Sequence, residues 1–106
     1  MSVHVVAGER LKDKLERSAQ IAGCSISVAA ERSKPWSAAM FMGGLHELTV
    51  TVHGATAERW LDCLDEYAIH LPGFVLSKLE VTTVEPVANL CGQLIATIEA
   101  ETVREA

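Results

Sequence analysis

Residues 45–71 read "LHELTVTVHGATAERWLDCLDEYAIHL". The hydrophobic period changes within this stretch, and the change sets the fold class. Leu48, Val50 and Val52 alternate with Glu47, Thr49, Thr51 and His53. A period of two, dense in β-branched residues, predicts a strand over 45–54 with one face buried. Gly54 breaks it. Trp60, Leu61, Leu64, Tyr67, Ala68 and Leu71 then recur at helical spacing, which predicts an amphipathic helix. Thr56 is its expected N-cap, Glu58 lies near the positive end of its dipole, and Pro72-Gly73 ends it.

The pattern extends in both directions. Upstream, "GERLKDKLERSAQIA" (8–22) places Leu11, Leu15, Ala19 and Ala22 on one stripe and charges elsewhere; Gly23 is a natural helix stop. "VHVV" (3–6) reads as a brief strand or a frayed extension. "CSISVAAE" (24–31) alternates, with Ile26, Val28 and Ala30 on one face. Downstream, "FVLSKLEVTTVE" (74–85) is a third strand, "PVANL" a turn and "CGQLIATIEAET" (91–102) a fourth strand.

The resulting order is α-β-β-α-β-β, each half a helix followed by a hairpin. The fold class expected is α+β: a two-layer sandwich of one four-stranded antiparallel sheet with two helices on one face. That order is a circularly permuted ferredoxin-like pattern. A plain βαββαβ with an extra strand competes if residues 3–6 form a strand. At 106 residues and 49% apolar, the chain fits a single domain over 1–106 that buries a true core.

Charge bounds the partners. The net charge is −5. Residues 1–40 carry six basic and four acidic groups, and residues 41–106 carry three and ten. An acidic second half repels phosphates, so nucleic acid is not an expected partner. No run reaches the ~18–20 apolar residues of a membrane span, and residues 1–20 lack the apolar core of a signal peptide. A soluble segment without membrane contact is expected. Cys24, Cys63 and Cys91 show no CxxC spacing and are an odd number, so they read as small buried hydrophobes.

Catalytic patterns are missing. His46 and His53 lie on one strand at odd separation and face opposite ways, so they cannot share a metal, and the four histidines read as scattered over the surface. His70 is expected at the end of the second helix. Glu58, Asp62, Asp65 and Glu66 form an acidic face that reads as solvated. "MGGLHE" (42–47) does not precede a helix and is no phosphate cradle. No activated nucleophile is evident. The expectation is a protein that is not an enzyme, with no catalytic residue, cofactor or metal.

Interaction is what remains. "KPWSAAMFMGG" (34–44) holds Trp36, Met40, Phe41 and Met42 with no acidic residue. Burying one such side chain contributes about 1.5–3 kcal/mol. Two outcomes fit: Ala38–Met42 extends the second strand and caps the core, or Trp36, Met40, Phe41 and Met42 meet a second subunit, where such residues are favoured.

Over 45–100, "ELTVTVHG", "ATAERWLDCLDEYA", "LPGFVLSKLEVTTV" and "GQLIATIEAE" together resemble the C-terminal periplasmic domain of type II secretion protein M and its type IV pilus relative, PilO. The resemblance implies a non-enzymatic module that homodimerises and pairs with a like-folded protein of an inner-membrane platform. It implies a periplasmic domain of an inner-membrane protein, and Trp60, Leu61 and Leu64 match core positions of that pattern. Without it, a cytoplasmic small-ligand-binding or regulatory ferredoxin-like module is the alternative.

Overall fold

The computed structural model describes residues 2–88 and 92–105. Six elements follow in order: α1 (Val3–Ala22), β1 (Ser25–Ala38), β2 (Phe41–His53), α2 (Ala57–Asp62), β3 (Phe74–Pro86) and β4 (Gln93–Arg104). The four strands form one antiparallel sheet in the order β1-β2-β4-β3. The α-β-β-α-β-β order and the two-layer α+β arrangement are as the periodicities require.

Helix α1 takes in residues 3–6, so "VHVV" is neither strand nor frayed end. Val3 and Val6 pack against the core, and that burial extends the helix beyond its charged segment. Ala7, Leu11, Leu15 and Ala19 recur every fourth residue and are fully buried, the spacing that aligns side chains along one face. Gly23 ends the helix at φ 89°. Its N–H donates to Gln20 O, and the N–H of Cys24 donates to Ala19 O at 2.9 Å, which is the paired closure of a Schellman motif.

The second helix is much shorter than its apolar spacing predicts. It stops at Asp62. Three residues on, the carboxylate of Asp65 accepts the backbone N–H groups of Tyr67 and Ala68 at 2.9 and 3.0 Å. This local bonding competes with helix continuation. Trp60, Leu61, Leu64 and Leu71 are buried as expected, but Tyr67 is 87% exposed and Ile69 takes its place inside. His70 is exposed and lies well beyond the helix whose dipole was to hold it.

Strand β1 is longer than read. Residues 31–38 continue the strand instead of forming a connection, and they pair with β2 down to Ala38↔Phe41. The hairpin closes in two residues, Ala39 and Met40. Ala39 has φ 54° and is the one non-glycine with positive φ among the described residues. β2 begins at Phe41, so the predicted strand extension is shared between both arms.

A bulge between Val28 and Ala30 flips the side-chain parity of β1. Ile26 and Val28 lie opposite Val52 and Val50 on the helix side; beyond the bulge, Glu31, Ser33 and Pro35 lie opposite Leu48, His46 and Gly44. The core is built from the α1 stripe, Leu48, Val50 and Val52, Ala96, Ile98 and Ala100, the α2 residues, and Phe74, Leu76 and Leu79 of β3. Trp60 ties the two helices together through an Nε1–H bond to Ser18 Oγ at 2.9 Å.

Candidate interaction surface

Because both helices occupy one side, no element among the described residues covers the other face of the sheet, its bare face. Strand parity and register set its side chains in cross-strand rows. The row nearest the β1–β2 turn is Trp36, Gly43, Val103 and Val75. The next is Lys34, Leu45, Glu101 and Lys78, followed by Arg32, Glu47, Glu99 and Glu80. Further along come Ala30, Thr49, Thr97 and Thr83.

The hairpin end of this face is apolar and the middle is charged. Phe41, Leu45 and Val75 remain 55, 45 and 52% exposed, and Trp36 and Val103 are half-buried. Gly43 is required where it stands, because a β-carbon there would overlap the backbone carbonyl of Thr102. The Trp36 indole nitrogen lies 3.1 Å from that position, so the ring crosses the glycine. Its Nε1 is buried and finds no acceptor among the described residues.

The four predicted interface residues therefore divide. Trp36 and Phe41 share the bare face, Met40 is at the apex of the turn, and Met42 lies on the helix side by parity. Sequence reasoning missed Leu45, Val75 and Val103. The parity of β2 marks Leu45, which shares a face with Glu47 and Thr49. Val75 and Val103 become neighbours only through the β3–β4 register.

Arg32 bonds Glu47 at 2.9 Å, and Lys78 lies 3.7 Å from Glu80 and 3.9 Å from Glu99. These are exposed pairs of small energetic weight. Lys34 and Glu101 form no ion pair among the described residues and flank Leu45 on either side.

On the helix side, beneath the first half of α1, the polar group Ser33, His46 and Thr102 is enclosed. His46 is 3% exposed and Thr102 fully buried, which corrects the expectation of surface histidines. Ser33 Oγ lies 2.7 Å from His46 Nδ1, and His46 Nε2 lies 2.8 Å from Thr102 Oγ1. The Thr102 hydroxyl donates to Gly44 O at 3.4 Å. Thr102 must then accept from Nε2–H, and Nδ1 accepts from the Ser33 hydroxyl. Burial, and secondarily the nearby His4, hold the His46 pKa down at about 4. A neutral imidazole with both nitrogens occupied braces the structure and has no free lone pair for a substrate.

Cys24 is buried and Cys63 exposed, so the reading of buried thiols holds for Cys24 alone; Cys91 lies outside the described residues. Among the described residues, no three His, Cys, Asp or Glu side chains gather in a metal-binding group, and no helix is long and apolar enough to cross a membrane. No protein-family model matches the chain, and neither a curated protein nor a solved structure matches it.

Proposed function

We propose that this protein is a non-enzymatic interaction module that works as a homodimer. The observation that carries the reading is the apolar hairpin end of a sheet face with no helix over it. Contiguous apolar surface of this kind marks association sites. In its narrower form, the module is of permuted ferredoxin-like type and serves a type II secretion or type IV pilus inner-membrane platform from the periplasm, beside a like-folded partner. The strand order supports the fold assignment. Moving the first strand of a βαββαβ chain with spatial order 4-1-3-2 to its end gives β1-β2-β4-β3, the order seen here. The platform role rests on the sequence pattern of residues 45–100.

The test is the oligomeric state. Sedimentation should give a dimer, and Trp36→Ser with Phe41→Ser should raise its dissociation constant at least tenfold while lowering the melting temperature only modestly. A chain that stays monomeric at high concentration would refute the reading.

A second reading, a cytoplasmic regulatory or small-ligand module, has one observation in its favour. An open groove runs between the start of α1 and the hairpin, lined by Val3, His4, Pro35, Trp36 and Met42. A metabolite screen that raises the melting temperature, and loses its effect in Met42→Ala, would favour it.

A further inference from the structure

We propose that residues 3–8, the first turns of α1, form a strap that unwinds from the sheet in acid, hinged at Gly8, and uncovers His46. The device lies within one chain and does not depend on self-association. Three features of the fold support it.

The strap is poorly suited to its helical state. Val3, His4, Val5 and Val6 make up most of it, and valine and histidine rank low in helix propensity. Ser2 stands at the N-cap without a side-chain bond, and no acidic residue lies in the first turn. Neither a cap nor a charge therefore complements the helix start. Gly8 follows, and glycine inside a helix costs ~1 kcal/mol against alanine. Local preference here opposes the tertiary placement, a conflict that folds keep at functional or strained sites.

The strap also grips the core less firmly than the rest of α1. Ala7 is its one fully buried side chain, with Val3 and Val6 partly buried against the core. Beyond Gly8, Leu11, Leu15 and Ala19 are fully buried. Burying a leucine contributes ~1.5–3 kcal/mol and an alanine far less. The turns before Gly8 can therefore open while those after it stay docked.

Beneath the strap lies a group that acid charges once it is uncovered. His4 and Gly8, one helical turn apart, bracket His46. A β-carbon on Gly8 would lie 3.4 Å from its Nδ1, and one on Gly44 would lie 2.8 Å from its Nε2 and 3.1 Å from the His4 β-carbon. The surrounding groups give a buried imidazolium little support. α1 presents His4, itself a base. β1 presents Glu31, whose Oε1 lies 3.1 Å from the same Gly8 position, but Glu31 is exposed and water screens its carboxylate. β2 and β4 present the uncharged Gly44, Leu48, Ala100 and Thr102 on this side. On the opposite face, the cleft that reaches His46 is lined by Arg32, Lys34, Glu47 and Glu99, whose formal charges cancel. Covered, His46 titrates at about 4; uncovered, it returns towards 6.5, because burial no longer penalises the charge. Below pH 6.5 the open strap takes up a proton that the closed one refuses, so acid shifts the balance towards opening. Opening also removes Val3 and His4 from the wall of the groove beside Trp36 and Met42.

Amide hydrogen exchange on the full chain tests this. Between pH 7 and pH 4.5, protection of the amides of residues 6–11 should fall at least about tenfold further than that of residues 15–22. His46→Gln should abolish this pH-dependent difference. Val5 is 37% exposed, and Val5→Glu completes a capping box with Ser2. That variant should raise the protection of residues 6–11 at pH 4.5 at least about threefold. Equal loss of protection in both segments would mean that the whole domain loosens together. That result, a difference that persists in His46→Gln, or no gain in Val5→Glu would each overturn the strap.

Discussion

Ser33, His46 and Thr102 form a hydrogen-bonded chain that runs one way, from β1 through β2 to β4. Its pH dependence has a definite sign. The unfolded histidine titrates near 6.5 and the folded one at about 4. Above pH 6.5 neither state is charged. Between 6.5 and 4 the unfolded chain takes up a proton that the folded one refuses, so stability falls. The loss levels off at about 3 kcal/mol below pH 4. Urea midpoints across this range should show the decline, and His46→Gln should flatten it. An unchanged slope in that variant would assign the decline elsewhere. Gly8 sits above this chain of bonds, where a β-carbon would lie 2.7 Å from Ser33 Oγ and 3.1 Å from Glu31 Oε1. Glycine to alanine inside a helix ordinarily stabilises by about 1 kcal/mol. Here the sign should invert, with Gly8→Ala costing about 1–2 kcal/mol through overpacking. Adding Ser33→Ala should relieve part of that cost, measured by denaturant unfolding. Nothing in the local sequence marks His46 as a buried residue, because its partners are 13 and 56 residues away in the chain.

At the scale of elements, the hairpin and the second helix show where periodicity is informative. β2 was legible because Leu48, Val50 and Val52 alternate without interruption. The alternation of β1 runs through Glu31 and places Ala30 beside Ile26 and Val28, but the bulge after Val28 turns Ala30 to the bare face, opposite Thr49. The extra residue shifts the alternation by one, and Arg32, Ser33 and Lys34 then read as a polar connection. α2 fails for the opposite reason: apolar spacing persists to Leu71, but the side chain of Asp65 captures the backbone first. The hairpin turn offers a clean test of element chemistry. Ala39 adopts φ 54°, a region where an L-residue is strained by roughly 1–2 kcal/mol. Ala39→Gly should stabilise the protein by about 1 kcal/mol, less the entropy that glycine adds to the unfolded chain. An unchanged or lowered denaturation midpoint would contradict this.

At the scale of the molecule, the sequence carried the architecture better than the surface. Element order and helix-side core follow from alternation within each segment. The candidate surface depends on which strands become neighbours, and Val75 meets Val103 only because β3 pairs with β4. Trp36 and Phe41 were recognisable because large apolar groups in a polar setting stand out in any context. The molecule is elongated, with extents of 48 × 22 × 21 Å, and the apolar rows lie at one end of its long axis. An association confined to one end leaves most of the helical layer free for a different partner.

His4, near the start of α1, and Thr102, near the end of β4, both border Gly44. The first and last elements therefore begin and finish side by side. A short linker joining them, with the chain reopened between β3 and β4, would give the order β-α-β-β-α-β without moving a strand. The same sheet could then be synthesised from a different starting point. Any segment fused to either end would leave the molecule beside the hairpin, where it could shield the apolar rows or guide what reaches them.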